Sequence, residues 1–232
     1  MKTRTVLLNF LIQFFSYESY LEIGVYDNDF NFKHIRCKYK ESCDPAPDAQ
    51  AMFRMTSDDY FRQNKRKFDL IFIDGLHHSE QVIIDIANSL KCLNKGGTIV
   101  IHDCLPTTEE MQLIPWTTQG DWTGDTWKAF VHYRQMNKNL SMFTVDTDWG
   151  CGIIRKGRQE LLVPGCEINY HNFNKNRRSW MNVVQTSELE NALLKTETKD
   201  FPAAVISGLK YFGNLIASAG SKSMLSLHKS KR

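Results

Sequence analysis

The sequence predicts an α/β fold in which a mostly parallel sheet of seven strands ends in an antiparallel hairpin. Three observations support this prediction. Short apolar runs bounded by turn residues are typical of strands buried on both faces. Segments with helical spacing separate these runs, which predicts right-handed crossovers and parallel pairing. Within residues 140–157, two β-rich runs flank a short turn that contains Asp and Gly, which predicts a hairpin.

The predicted elements follow one another along the chain. We expect residues 1–18 to form a short amphipathic helix that caps the sheet. A signal peptide is disfavoured there, because Asn9 and Gln13 share one helical face and no small-residue cleavage site follows. A helix after residue 78 is indicated by apolar side chains at helical spacing. Before the hairpin, the predicted strands are residues 20–24, 38–44, 49–55, 68–74 and 96–103.

The composition limits the class of protein. A chain of 232 residues with 42% hydrophobic and 24% charged residues can bury one substantial core. Its net charge of +3 is smaller than a dedicated nucleic-acid-binding domain usually carries. The six cysteines follow no metal-ligand spacing, and several lie in or beside predicted strands, which indicates reduced thiols and a cytoplasmic location. No segment has the apolar length that a membrane span needs.

We expect the chain to divide into three parts. Residues 1–157 form the domain that contains the sheet. Residues 158–220 form a helical extension that packs on the core or makes a homodimer contact, and residues 221–232 form a basic, flexible tail. Clusters of basic residues are interpreted mainly as solvated surface. A phosphate-bearing partner such as a nucleic acid is the less favoured alternative.

A candidate cofactor site follows the first strand. Dinucleotide enzymes and methyltransferases both place a glycine turn there and an acid at the end of the second strand. Glu22, Gly24 and Asp44 fit this layout. The turn VYDND after Gly24 lacks the further glycines of GxGxxG, and its acids would repel a pyrophosphate. This disfavours NAD and suits S-adenosylmethionine, which carries a sulfonium and an amino group but no phosphate.

The order of the motifs resembles that of class I S-adenosylmethionine-dependent methyltransferases. It is most similar to a small group found beside glycan genes and in some viral genomes. The resemblance extends over about residues 20–156 and is carried by LEIGV, CDPAP, FDLIFIDGLHH, LNKGGTIVIHD and the closing hairpin. It implies a Rossmann-like, doubly wound fold.

The resemblance also implies roles for single residues. Glu22 would hold the amino group of the cofactor, and Gly24 would let the backbone approach the methionine part. Asp44 would bind the ribose hydroxyls. Ser57 and Asp58 would lie near the adenine, or they would serve only as the N-cap of the following helix.

Acidic residues end two predicted strands that lie side by side in this fold. Asp74 and Asp103 would both face the ligand cleft, so Asp74 is a candidate for cofactor contact and for catalysis. Metal-dependent O-methyltransferases of the catechol and macrolide-sugar types look similar, and two carboxylates can hold Mg²⁺. His102 stands where those enzymes have an acid, so Mn²⁺, Zn²⁺ or no metal are alternatives. The candidate metal ligands are Asp74, His102 and Asp103.

Two adjacent histidines follow Asp74. In the catechol type a base lies three residues after the equivalent acid, which makes His77 the first candidate for the general base and His78 the second. Histidine titrates near neutrality and can take a hydroxyl proton. The alternative is that either ring caps the next helix or packs against a neighbour.

The loop of residues 106–127 is long and contains Trp116 and Trp122. Loops of this length are commonly lids or substrate platforms, and Trp rings stack on sugar faces or bases. A Trp-anchored structural loop is the alternative.

The sequence therefore predicts methyl transfer from S-adenosylmethionine to an oxygen of a glycan or another small hydroxylated acceptor. Three other interpretations stay open. They are a cap-type RNA methyltransferase, an NAD-dependent oxidoreductase and a catalytically silent cofactor-binding scaffold.

Overall fold

The computed structural model describes residues 3–117 and 120–196. Its strands are β1 (Ser19–Ile23), β2 (Tyr39–Cys43), β3 (Phe68–Ile73), β4 (Leu93–Ile101), β5 (Leu140–Val145), β6 (Cys151–Lys156) and β7 (Val183–Val184). Its α-helices are α1 (Thr3–Phe15), α2 (Ser57–Gln63), α3 (Ser79–Cys92), α4 (Thr126–Met136), α5 (Tyr170–Trp180) and α6 (Leu189–Thr196).

All seven strands form one sheet in the order β2-β1-β3-β4-β6-β5-β7. Strands β2, β1, β3 and β4 pair in parallel, and β6 pairs antiparallel with both β4 and β5. The predicted Rossmann-like, doubly wound fold with an antiparallel hairpin is therefore confirmed. The seventh strand is β7, which pairs in parallel with β5.

The central strands are buried on both faces because helices cover each side of the sheet. Alternate residues of β3 point to opposite faces. Ile71 and Ile73 pack in the cluster that contains residues of α3, α4 and α5. Leu70 and Phe72 pack in the cluster that contains α1 and α6. This double coverage explains why the strands read as continuous apolar runs.

The predicted strand at residues 49–55 is wrong. The structure has only an isolated parallel bridge between Cys43 and Phe53 in this segment. The amide of Ala49 donates to the carbonyl of Ala46, so the chain turns before it reaches the bridge. A turn leaves too few residues in extended conformation to continue the ladder beyond Phe53.

The register of the parallel strands aligns their carboxyl ends at one edge of the sheet. Ile23 pairs with both Cys43 and Ile73, and Ile73 pairs with Ile101. The residue that follows each of these strand ends therefore lies in one row across the sheet. These residues are Gly24, Asp44, Asp74 and His102.

The segment after residue 157 packs on the same core as far as it is described. The ring centroid of Phe173 in α5 lies 4.3 Å from that of Trp127 in α4, and Trp180 stacks on Trp127 at 6.4 Å. The predicted tail at residues 221–232, and the part of the predicted extension beyond residue 196, lie outside the described residues. The domain boundaries stay a prediction.

The cysteines pack as thiols. All six are free, and Cys43, Cys92, Cys104 and Cys151 are buried. Among the described residues, no helix combines the length and the apolar character needed to cross a membrane.

Candidate active site

A cavity of about 450 Å³ opens at the carboxyl ends of β1, β2 and β3. It also contacts the beginning of α2 and the first half of α3. Four aspartates line it, and the described lining residues include no lysine or arginine. The cavity therefore favours cationic ligands and opposes anionic ones. The four are Asp44, Asp58, Asp74 and Asp85.

Gly24 forms the floor of this cavity. Its φ of +82° lies in the left-handed region, which strongly favours glycine. A Cβ atom at this position would overlap the carbonyl oxygen of Asp74 and the backbone of Gly75. The absence of a side chain thus allows the β1 turn and the β3 turn to cross closely.

The carboxylate of Asp44 is held at the cavity wall by two backbone amides. Tyr26 N donates to Oδ2 at 2.9 Å, and Ala46 N donates to Oδ1 at 2.8 Å. Each oxygen keeps lone-pair capacity for a ligand, because a carboxylate can accept about four hydrogen bonds.

Ser57 and Asp58 also line the cavity, at the first turn of α2. The N-cap of this helix is Thr56, whose hydroxyl accepts from Asp59 N, so neither predicted residue takes the cap position. Gln81 Nε2 lies 3.3 Å from both Ser57 Oγ and Asp58 Oδ1.

Asp85 was not predicted as a site residue. It is almost fully buried on α3, and burial raises its pKa to about 6. Its neighbours Val82 and Ile86 are apolar, and an acid on an otherwise apolar helix face is the signal that could have revealed it.

The structure places Glu22 outside the cavity. On β1 it shares a face with Tyr20, because side chains two residues apart in a strand point the same way. Its Oε2 accepts from the hydroxyl of Tyr20 at 2.5 Å and from Asn31 Nδ2 at 3.0 Å. Its setting is a buried polar network beneath α1, in which Thr5 donates to Asn31 Oδ1 at 2.8 Å.

Glu22→Gln is expected to stabilise the fold at alkaline pH. Burial raises the pKa of Glu22 to about 7, against an ordinary value of 4.5. The folded state therefore holds this proton more tightly than the unfolded state, and the free energy of unfolding falls as pH rises from 4.5 to 7. Glutamine keeps the acceptor oxygen without the charge, so we expect a gain of about 1–3 kcal/mol above pH 7.

Denaturant titrations at pH 5 and pH 8 measure this effect, with the exposed Glu18→Gln as the matched control. Equal stability changes at the two pH values would contradict the expectation. If Glu22 contacts the cofactor, as predicted from the sequence, the same substitution weakens cofactor binding. The geometry instead predicts an unchanged Kd.

The polar cluster at the ends of β3 and β4 joins four predicted residues. His102 Nδ1 lies 3.0 Å from Asp74 Oδ1 and 3.1 Å from Asp103 Oδ2. His77 Nδ1 lies 3.2 Å from Asp103 Oδ2, and its Nε2 lies 3.5 Å from Asp74 Oδ1. Each histidine therefore spans the two carboxylates. We call these four residues, together with Arg4 and Asp148, the charge cluster.

Arg4 and Asp148 enter the charge cluster without having been predicted. Arg4 Nη1 lies 2.8 Å from His102 Nε2 and 3.6 Å from Asp148 Oδ1. The backbone amide of Arg4 donates to Asp148 Oδ2 at 2.9 Å. The signal for Arg4 is the one basic side chain in α1, on a buried surface that consists mainly of apolar residues.

Charges within the cluster shift the pKa values of its members. Burial alone would raise the pKa of Asp74, but His102, His77 and Arg4 hold it well below its usual range. Burial alone would lower the pKa of His77, but Asp74 and Asp103 raise it. The same two carboxylates act to raise the pKa of His102 against burial, whereas Arg4 Nη1, a donor 2.8 Å from Nε2, opposes a second proton on that nitrogen.

The ring of His77 contacts two carboxylates of the charge cluster and a tryptophan of the long loop. It stacks on Trp122 with centroids 5.3 Å apart, and Trp122 stacks on Trp116 at 6.1 Å. Trp116 is 57% exposed, so the stack runs from the buried cluster to solvent. His78 occupies the N-cap position of α3 without a side-chain cap hydrogen bond, and its ring meets Trp122 edge-on.

The three candidate metal ligands lie close enough to share an ion. One ligand atom each from Asp74, His102 and Asp103 falls within a span of 4.8 Å. However, His102 Nδ1 already bridges the two carboxylates, and the guanidinium of Arg4 faces Nε2. The donor set therefore does not fit a metal in this arrangement, because His102 Nδ1 would have to give up its contacts with the two carboxylates to bind the ion.

Comparisons with known proteins relate this fold to methyltransferases. The family model described as "Methyltransferase domain" matches residues 22–104, about a third of the chain. The match runs from the end of β1 to just past β4, and it includes four of the six residues of the charge cluster. It confirms the prediction of a methyltransferase domain, and hence of an enzyme of this class. No curated protein matches the chain by sequence.

Solved structures of methyltransferases share the fold. A Klebsiella pneumoniae protein assigned as an O-methyltransferase superposes with a TM-score of 0.51 at 13% identity, over 66% of this chain and 79% of that one. A Staphylococcus aureus protein assigned as a caffeoyl-CoA O-methyltransferase gives 0.51 at 14% identity, over 68% and 84%. A Podospora anserina methyltransferase with S-adenosylhomocysteine bound gives 0.50 at 14% identity, over 66% and 77%. At these identities the likeness shows the fold alone.

Proposed function

We propose that the protein transfers a methyl group from S-adenosylmethionine to a hydroxyl oxygen of a small, ring-shaped acceptor such as a sugar. The observation that carries this proposal is the acidic cavity at the carboxyl ends of β1 to β3, which meets the charge cluster at Asp74. One carboxylate thus belongs to both the candidate cofactor site and the candidate catalytic site.

The cavity suits this cofactor better than a dinucleotide. Its four aspartates complement the sulfonium and amino groups of S-adenosylmethionine and oppose a pyrophosphate. Asp44 would accept from the ribose hydroxyls, and Ser57 and Asp58 would face the adenine. Gly24 would let the backbone approach the methionine part. When bound, the cofactor supplies an electrophilic methyl group.

His77 is the candidate general base. Asp103 Oδ2 lies 3.2 Å from Nδ1 and Asp74 Oδ1 lies 3.5 Å from Nε2, so the ring would take the proton of the acceptor hydroxyl while it is held between two carboxylates. Stacking on Trp122 fixes the plane of the ring. A carboxylate that orients an imidazole in this way also stabilises the imidazolium that forms.

The stacked tryptophans would bind the acceptor. The exposed Trp116 offers a flat apolar surface that is connected to the base through Trp122. Such surfaces stack on sugar faces and aromatic rings. This supports a small ring-shaped acceptor.

Calorimetric titration with S-adenosylhomocysteine tests the proposal. Wild-type protein is expected to bind it, and NAD is expected not to bind. Asp44→Asn is expected to weaken binding about tenfold or more, because hydrogen bonds to a charged group contribute about 1.5–3 kcal/mol.

Asp48→Asn is the matched control, since Asp48 is exposed in the same loop and does not line the cavity. Equal affinity of the Asp44→Asn and Asp48→Asn variants would place the ribose elsewhere. Binding of NAD in place of S-adenosylhomocysteine would overturn the proposed function.

A further inference from the structure

We propose that Arg4, carried by α1, supplies the positive charge that a divalent metal would supply to the carboxylates of the charge cluster, and that it positions His102 so that this site works without a metal. The catalytic part of this inference rests on the proposed function. The exclusion of metal does not, and it can be tested on the protein alone.

The guanidinium contacts the cluster at His102 and at Asp74. Its Nη1 lies 2.8 Å from His102 Nε2, and its Nε lies 3.8 Å from Asp74 Oδ2. It thus touches two of the three residues that offer metal ligands. Arg4 is 9% exposed, and Asp148 anchors both its side chain and its backbone amide. A side chain held from two directions at this depth is a fixed part of the site.

The contact with Arg4 determines which nitrogen of His102 carries a proton. Arginine has only hydrogen-bond donors, so Nε2 of His102 must accept. The proton then resides on Nδ1, where Asp74 Oδ1 and Asp103 Oδ2 lie 3.0 Å and 3.1 Å away. Both nitrogens are satisfied by this tautomer.

A metal at the same place would reverse this arrangement. An imidazole must present a lone pair to bind a metal ion. If Nδ1 bound the ion, the ring proton would move to Nε2 and would face an N–H of Arg4. Two donors 2.8 Å apart repel, so the position of Arg4 and metal binding by His102 exclude each other.

The guanidinium of Arg4 also borders Asp74. Its Nε is buried and has no hydrogen-bond partner among the described residues. This donor lies beside Asp74, the residue that the cluster shares with the cavity.

The first experiment measures the tautomer of His102 by ¹⁵N NMR of histidine-labelled wild-type protein, without cofactor and with a chelator. We expect Nδ1 to carry the proton and Nε2 to be the acceptor. Arg4→Gln, which cannot hold Nε2 by charge, is expected to change the ¹⁵N shifts, whereas Arg4→Lys is expected to retain most of the wild-type signature. A wild-type ring protonated at Nε2, alone or together with Nδ1, would overturn the inference.

The second experiment measures Mn²⁺ binding by the paramagnetic resonance signal of the free ion. Removal of the guanidinium leaves three carboxylates around His102, so Arg4→Gln is expected to bind Mn²⁺ at least tenfold more tightly than wild type. Adding Asp103→Asn to that variant is expected to abolish the gain. Tight Mn²⁺ binding by wild type would overturn the inference, and this result can be obtained even if the variant fails to fold. Equal affinity of wild type and a folded Arg4→Gln variant would also overturn it.

The third experiment separates this inference from the proposed function. Methyl transfer by wild type is expected to be unchanged by EDTA. Loss of activity in EDTA that Mg²⁺ restores would overturn the inference. If no methyl transfer is found while the tautomer and the Mn²⁺ results are as expected, the proposed function fails and the assignment of Arg4 stands.

Discussion

Replacing His77 by glutamine is expected to lower kcat for methyl transfer by about 10²- to 10⁴-fold, the usual contribution of a general base. The reason is that Asp103 and Asp74 flank both ring nitrogens of His77, and Trp122 stacks on its face. Glutamine keeps a polar side chain but cannot take the proton of the acceptor. Steady-state kinetics with a hydroxylated acceptor measure the effect.

His78→Gln is the matched control for this substitution. The neighbouring ring meets Trp122 edge-on and makes no ion pair with a carboxylate among the described residues. We expect nearly unchanged kcat for this variant and an unchanged Kd for S-adenosylhomocysteine in both. A larger loss of kcat in His78→Gln would exchange the roles that we assign to the two histidines.

The pH profile provides a second measurement of the same base. Burial lowers the pKa of His77, but the two carboxylates raise it above the ordinary value of about 6.5. A base acts only when it is unprotonated. We therefore expect kcat/KM to rise with pH and to level off above the raised pKa of His77. Asp103→Asn is expected to move the rise to lower pH, because it removes one of the charges that retain the proton.

Gly24→Ala is expected to abolish cofactor binding and to destabilise the fold by about 2–5 kcal/mol. A left-handed conformation costs a non-glycine residue about 1–2 kcal/mol, and overpacking adds about 1–3 kcal/mol. The new methyl group would overlap the carbonyl oxygen of Asp74, so the β1 and β3 turns must separate. Denaturant titration and calorimetry with S-adenosylhomocysteine measure the two effects.

Gly96→Ala separates these two causes. Gly96 has a φ of +77°, close to that of Gly24, but a Cβ atom there would meet nothing within 4 Å. This control is expected to lose only the conformational part, about 1–2 kcal/mol, and to keep cofactor binding. If Gly24→Ala and Gly96→Ala lower the free energy of unfolding equally, the close approach of the β1 and β3 turns at Gly24 does not contribute to stability.

The sheet and the row of strand-end residues could be predicted because they depend on local pattern. Parallel strands in register bring the residues that follow them to one edge, so recognising four strand ends was enough to place Gly24, Asp44, Asp74 and Asp103 near one another. Residues 49–55 misled the prediction, because an apolar run that forms only one bridge looks like a short strand in sequence.

The partners of the charge cluster could not be predicted in the same way. Arg4 and Asp148 are 144 residues apart and meet only because α1 docks on the sheet beside the β5–β6 turn. No local periodicity encodes that docking. The setting of Glu22 was within reach of the sequence, however, since strand alternation puts it on the same face as Tyr20 and away from Ile23.

The meeting of α1 with the β5–β6 turn also constrains how the protein folds. Contacts this distant in sequence close a large loop, which costs more chain entropy than a local contact does. An intermediate that lacks docked α1 would have the cavity residues in order but no guanidinium on His102. Such an intermediate would lack the positive charge of Arg4 beside Asp74 and Asp148. The free-energy cost of leaving these carboxylates without it couples formation of the site to completion of the fold. Cooperative assembly of this kind leaves little room for a partly folded chain that is partly active.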